Sequence, residues 1–141
     1  MLAKTFLSQP VLPLRHMNEQ ILCLDFDGTI HSYVSGWQGP DVITDAPVLG
    51  AFDFIKDAMQ DFDVHVYSAR SGLPGGIDAM KAWFLLHGWQ SNANGEPEGL
   101  TFPTCKPPAH VSIDDRAMTF TGKWPEIDAL KAFRPWNDLD A

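Results

Sequence analysis

The stretch Ile21–Thr29 reads ILCLDFDGT, an uninterrupted apolar run followed by two aspartates around a phenylalanine, a glycine and a threonine. Four consecutive apolar residues without polar alternation are typical of a strand that is covered on both faces of a parallel sheet. Gly28 allows the backbone to turn sharply just after such a strand. The stretch therefore predicts a buried strand whose carboxyl end presents Asp25 and Asp27.

Strands and helices alternate along the rest of the chain. Further strands are predicted at residues 64–67, 100–102, 111–113 and 118–120. Apolar positions at helical spacing predict helices along residues 48–62, 77–87 and 125–133, the first capped by Thr44 or Asp45. This alternation indicates an α/β fold, a Rossmann-like parallel sheet flanked by helices.

Length and composition point to a single folded domain. The chain has 141 residues, of which 45% are apolar, and this length suffices to bury a core. We expect residues 20–141 to form the domain and residues 1–19, which show no clear period, to form an N-terminal arm.

Charge and cysteine content restrict the partners and the compartment. A net charge of −8 argues against strong nonspecific binding to nucleic acid or to anionic lipid. Only Cys23 and Cys105 are present, which excludes a secreted disulfide scaffold and favours the reducing cytoplasm. We find no apolar stretch long enough to span a membrane and no signal-peptide core.

Polar residues follow several of the predicted strands directly. Ser68 follows strand 64–67, Lys106 lies in the loop after strand 100–102, and Asp114 and Asp115 follow strand 111–113. Ligands of parallel sheets bind beyond the carboxyl ends of the strands, where we expect these side chains to meet Asp25.

This set of residues suits phosphoryl transfer. An aspartate that attacks phosphate needs a cation to offset the repulsion between two anions, and carboxylate oxygens favour Mg²⁺. Ser68 offers a hydroxyl to a phosphate oxygen, and Lys106, with Lys123 as the alternative, offers a positive charge. Arg70 offers a bidentate fork to phosphate, with a surface salt bridge as its equal alternative.

In their order and strand context, these motifs resemble the haloacid dehalogenase superfamily of aspartate-nucleophile phosphohydrolases. The resemblance implies that Asp25 is the nucleophile and Asp27 the general acid and base. The implied metal ligands are Asp25, the Asp27 carbonyl, Asp114 and, directly or through support of the other ligands, Asp115. The residues expected beside the phosphate are Ser68, Lys106, Arg70, Gly28 and Thr29.

The resemblance also narrows the reaction. Release of an alkoxide benefits from a general acid, so Asp27 favours phosphate ester hydrolysis over dehalogenation. The segments between the motifs leave no room for a cap domain, and capless members often act on large substrates or borrow a neighbouring subunit as a lid. The expected partner is thus a phosphorylated small molecule or macromolecular end. The borrowed lid is also compatible with an oligomer of this chain. A phosphomutase or phosphotransferase, or a catalytically silent interaction module, is the alternative.

Two residue types receive no functional role from the sequence. The five histidines show no metal-ligand spacing with the cysteines, so no zinc site is predicted. His31, the histidine nearest to the motif, is expected to be exposed. The five tryptophans are scattered, which favours packing roles over a base-stacking platform.

Overall fold

A three-stranded parallel sheet forms the centre of the molecule in the computed structural model, which describes residues 20–138. Strand β1 (Ile21–Leu24) lies between β2 (Asp63–Val66) and β3 (Val111–Ile113), so the strand order is β2-β1-β3. The predicted strand ILCL thus occupies the centre, where a continuous apolar run is covered best.

The register of the sheet brings the three strand ends together. Leu24, the last residue of β1, pairs with Val66 at the end of β2 and with Ile113 at the end of β3. The residues that follow each strand therefore leave from the same edge of the sheet. This alignment creates the convergence that the sequence predicts.

Helices connect and follow the strands. Helix α1 (Ala51–Ala58) lies between β1 and β2, α2 (Gly76–Leu86) lies between β2 and β3, and α3 (Ile127–Ala132) follows β3. The prediction of a single α/β domain with a parallel sheet flanked by helices is confirmed at this level. Within residues 20–138, no helix has the length and apolar character needed to cross a membrane.

The core lies between the sheet and the first two helices and is rich in aromatic rings. Phe26 is fully buried, and its ring packs edge-on against Trp83 at 4.9 Å between centroids. Phe84 of α2 stacks on Phe52 of α1 at 5.4 Å. Burial of a side chain such as Phe26 contributes about 1.5–3 kcal/mol to folding, and it anchors the backbone between Asp25 and Asp27.

Helix α1 begins later than predicted. Its N-cap is Gly50, with φ of 83°, so the expectation that Thr44 or Asp45 caps it is wrong. The Asp45 carboxylate instead accepts hydrogen bonds from the backbone N–H and the hydroxyl of Ser35, at 2.7 Å each. Asp45 therefore stabilises a local turn instead of a helix N-terminus, because the chain remains irregular up to Gly50.

Two weaker strand predictions are wrong. Residues 100–102 form only an isolated bridge, Thr101 with His65, and residues 118–120 are irregular and exposed. Neither segment joins the three-stranded sheet of residues 20–138. Helix α3 starts at Ile127 rather than at Pro125. The predicted N-terminal arm, residues 1–19, lies outside the described residues.

Candidate functional site

Three carboxylates meet at the carboxyl edge of the sheet. Asp25 follows β1, and its backbone N–H donates to the Ile113 carbonyl at 2.9 Å. Asp114 and Asp115 follow β3. One carboxylate oxygen from each of the three aspartates lies within 4.8 Å of the other two. The structure therefore brings together the acidic residues that the sequence places at two separate strand ends.

The electrostatics of this cluster fit a cation. The pKa of Asp25 is raised from 3.8 to about 8, first by burial and then by the hydrogen bond with Asp115 and the charges of Asp114 and Asp115. At neutral pH, a proton on Asp25 thus reduces the repulsion among the three acidic groups. Closely spaced carboxylate oxygens are the ligands that Mg²⁺ prefers, so the cluster has the right chemistry to hold it. The Asp27 carboxylate lies outside this cluster.

Gly28 makes the close approach of Asp115 possible. Its φ is +82°, and a Cβ at this position would lie 2.2 Å from Asp115 Oδ2. Any other residue would therefore suffer backbone strain and push the carboxylate away. The Gly28 carbonyl accepts a hydrogen bond from Trp136 Nε1 at 2.7 Å. Gly28 thus shapes the cluster through the space it leaves open.

Lys106 shares a pocket with the carboxylates. The pocket has a volume of about 290 Å³, and its lining includes Asp25, Asp114, Lys106 and Tyr67. The alternative lysine, Lys123, lines a different pocket. Of the two lysines that the sequence offers, Lys106 rather than Lys123 therefore lies on the pocket of Asp25, and its role as a phosphate binder stays a prediction.

Ser68 lies at the end of β2 but is held within a tight turn. Its backbone N–H donates to Ser71 Oγ at 2.9 Å, and its own Oγ accepts from the Arg70 N–H at 3.2 Å. The residue at this strand end that lines the carboxylate pocket is Tyr67. The role of Ser68 as a phosphate binder stays a prediction.

Arg70 is oriented differently from the prediction. It is fully buried, and its Nε and Nη2 donate to Asp27 Oδ2 and Oδ1 at 2.8 and 3.1 Å. Its Nη1 donates to three backbone carbonyls, those of Gly39, Pro40 and Val42. The expected fork thus forms, but it binds a protein carboxylate instead of a substrate phosphate or a surface partner.

His31 is buried, which corrects the expectation that it is exposed. It is 1% exposed, and its Nδ1 lies 2.9 Å from Asp27 Oδ1. Its Nε2 accepts from the backbone N–H of Asp45 at 3.2 Å, which places the proton of a neutral ring on Nδ1. His31 and Arg70 together fix the orientation of Asp27.

Thr29 lies apart from the carboxylate pocket. It lines a second pocket of about 280 Å³ with apolar neighbours that include Leu24, Ile55 and Ile113. Its Oγ1 is buried and finds no hydrogen-bond partner among residues 20–138. The turn at Gly28 directs the side chain toward α1, so the expectation that Thr29 contacts phosphate receives no support from its position.

Tyr33, to which the sequence analysis gives no role, packs its ring edge-on against His31 at 5.9 Å between centroids. Its φ of 60° is the only positive value at a non-glycine residue in the described part of the chain. Burial raises the pKa of its phenol, and the charges of Asp27 and Asp115 raise it further against the opposing effects of Arg70 and Arg116. Its spacing from Asp27 alone gave no signal, because the left-handed backbone redirects the side chain.

Comparison with known proteins leaves the chain without a match among protein-family models, curated proteins or solved structures. The assignment of the site therefore depends on the residues and geometry of this chain.

Proposed function

We propose that the protein is a magnesium-dependent phosphomonoesterase that forms an aspartyl-phosphate on Asp25, built on a capless, Rossmann-like fold of the haloacid dehalogenase type. The observation that carries this proposal is the gathering of Asp25, Asp114 and Asp115 at the ends of β1 and β3, with Lys106 on the same pocket. A carboxylate nucleophile, a set of cation ligands and a phosphate-neutralising charge are thus combined in one place.

In the first step, an Asp25 carboxylate oxygen attacks phosphorus. The new O–P bond forms as the ester P–O bond breaks, and Asp27 donates a proton to the departing oxygen. Lys106 offsets the negative charge of the transferring group. Asp25, Asp114 and Asp115 would hold Mg²⁺, which would supply the positive charge that lets one anion approach another.

In the second step, water attacks phosphorus and breaks the bond to Asp25. Asp27 takes the water proton, and inorganic phosphate leaves. Oδ1 of Asp27 contacts both His31 and Arg70, whereas Oδ2 contacts Arg70 alone. Oδ2 retains more capacity for another hydrogen bond, so we assign it the proton transfers.

Both cysteines are compatible with a cytoplasmic enzyme. Cys23 is buried and Cys105 is exposed, and both are free thiols. Free thiols persist in reducing compartments. We therefore extend the proposal to the cytoplasm, with a phosphorylated small molecule or macromolecular end as the substrate.

The direct test is phosphate release from p-nitrophenyl phosphate by the full chain with Mg²⁺. We expect Asp25→Asn to abolish turnover and Asp114→Asn to raise the Mg²⁺ concentration needed for half-maximal rate, because one anionic ligand is lost. Asp57→Asn, at an exposed position of α1, is the matched control and should behave like the wild type. Full activity in excess chelator, or in folded Asp25→Asn, would contradict the proposal.

A further inference from the structure

The segment that follows α3 returns to the carboxylate site. The Asp138 N–H donates to the Pro135 carbonyl at 3.1 Å, which closes a turn with Trp136 and Asn137 at its centre. Arg134 and Asp138 form an ion pair across the same turn at 3.1 Å. The turn therefore presents Trp136 at its tip in a fixed position.

Both central residues of this turn bind the loop that carries Asp27. Trp136 Nε1 donates to the Gly28 carbonyl at 2.7 Å, and Asn137 Nδ2 donates to the Ser32 carbonyl at 3.4 Å. Gly28 is also the residue at which an added Cβ would collide with the Asp115 carboxylate. The indole of Trp136 and the carboxylate of Asp115 thus both lie against Gly28, at the edge of the carboxylate cluster.

Trp136 is anchored but not covered. It is 63% exposed, although a tryptophan whose N–H is satisfied would gain most from burying its ring. Tyr33 lies nearby along the same loop, one residue beyond Ser32, and its ring packs edge-on against His31 at 5.9 Å. The rim of the site therefore offers an exposed indole whose N–H is fixed at Gly28, and Tyr33 lies farther along the same loop.

We propose that Trp136, with Tyr33, forms a subsite for an aromatic ring carried by the phosphorylated substrate, so that the ring stacks on the indole while the phosphate lies at Asp25 and Lys106. This inference rests on the proposed phosphatase activity and names its substrate class. A nucleobase and a simple phenyl group share this chemistry. Stacking suits an acidic protein, because an uncharged ring adds affinity without adding to charge repulsion.

The test compares adenosine 5′-monophosphate with ribose 5-phosphate on the full chain with Mg²⁺, since the two esters have the same kind of leaving oxygen and differ in the base. We expect kcat/KM to favour the nucleotide, and we expect this preference to fall about tenfold in Trp136→Leu. Trp136→Phe keeps an aromatic ring and should retain part of the preference for the nucleotide. Trp124→Leu, at another exposed tryptophan that lines a different pocket, should leave the preference unchanged.

Two inhibitors test whether the subsite accepts any aromatic ring or only a nucleobase. If phenylphosphonate inhibits more strongly than methylphosphonate, and Trp136→Leu removes the difference, the subsite accepts any aromatic ring. Equal inhibition by the two, with the nucleotide preference intact, restricts the subsite to nucleobases.

An equal preference in the wild type and folded Trp136→Leu would overturn the subsite. If neither ester is hydrolysed, p-nitrophenyl phosphate decides separately whether the proposed phosphatase activity fails. Calorimetry then gives the same preference as a ratio of dissociation constants, and a ratio that Trp136→Leu leaves unchanged would still overturn the subsite.

Discussion

Removal of the Asp25 carboxylate should make the metal-free protein more stable at alkaline pH. The folded-state pKa of Asp25 is about 8 against an ordinary value of 3.8, so the native state keeps a proton that the unfolded chain has lost. The stability that this proton provides is fully present below pH 4 and is lost as the pH rises through about 8. Metal-free wild type should therefore become less stable between these values.

The magnitude follows from the difference between the two pKa values. At 1.36 kcal/mol per pH unit, the full interval corresponds to about 6 kcal/mol. Solvent reaches part of the cluster and screens its charges, so we expect about half of this, about 3 kcal/mol, of which about 2 kcal/mol falls between pH 5 and 8.5. The unfolding free energy of Asp25→Asn should fall much less over the same pH range.

Urea denaturation in excess chelator at pH 5 and pH 8.5 measures the effect. Wild type should lose about 2 kcal/mol of unfolding free energy across this range, and Asp25→Asn should lose much less. Asp57→Asn is the matched control and should follow the wild type. Saturating Mg²⁺ should reverse the order of wild type and Asp25→Asn at pH 8.5, because only the wild type has the full ligand set. Parallel pH profiles for the wild type and Asp25→Asn would refute the reasoning.

Three further substitutions probe the neighbouring residues. Asp27→Asn should hydrolyse the aspartyl-phosphate about 100-fold more slowly, since no base takes the water proton. Rapid mixing with an aryl phosphate should therefore show a burst of phenol followed by slow turnover. If both steps slow equally, Asp27 is not the general acid and base. Arg70→Met should cost about 3–5 kcal/mol in urea denaturation, because it leaves Asp27 and three carbonyls without their buried partner, whereas Arg134→Met at an exposed ion pair should cost less than about 1 kcal/mol. Gly28→Ala should weaken Mg²⁺ binding measured by calorimetry, since its Cβ would displace Asp115, and unchanged affinity would contradict this role of Gly28.

The parts of the fold that could be predicted are those with local signals. The apolar run of β1 and the helical stripe of α2 need no information from distant residues, and parallel topology alone brings Asp25 to Asp114 and Asp115. The start of α1 was missed because it depends on a left-handed glycine, Gly50, rather than on a capping side chain.

The roles of Arg70 and His31 depend on contacts that no local pattern contains. Arg70 turns inward because the loop through residues 39–42 presents three carbonyls to its Nη1, and this loop lies about 30 residues earlier in the chain. His31 is buried because Phe26 stacks against it at 5.3 Å and Asp45 supplies an N–H to its second nitrogen. Such partners become visible only when distant loops are placed.

Asp25 and Asp27, two residues apart, thus lie in opposite electrostatic environments. Asp27 lies beside a permanent positive charge, because the fully buried guanidinium of Arg70 donates two hydrogen bonds to its carboxylate. Asp25 faces two further carboxylates, and burial together with these groups raises its pKa to about 8. The proposed Mg²⁺ would therefore act at Asp25 and not at the Asp27 side chain. This asymmetry suits the proposed reaction, in which Asp25 must approach an anionic phosphate whereas Asp27 must hold a fixed orientation for proton transfer.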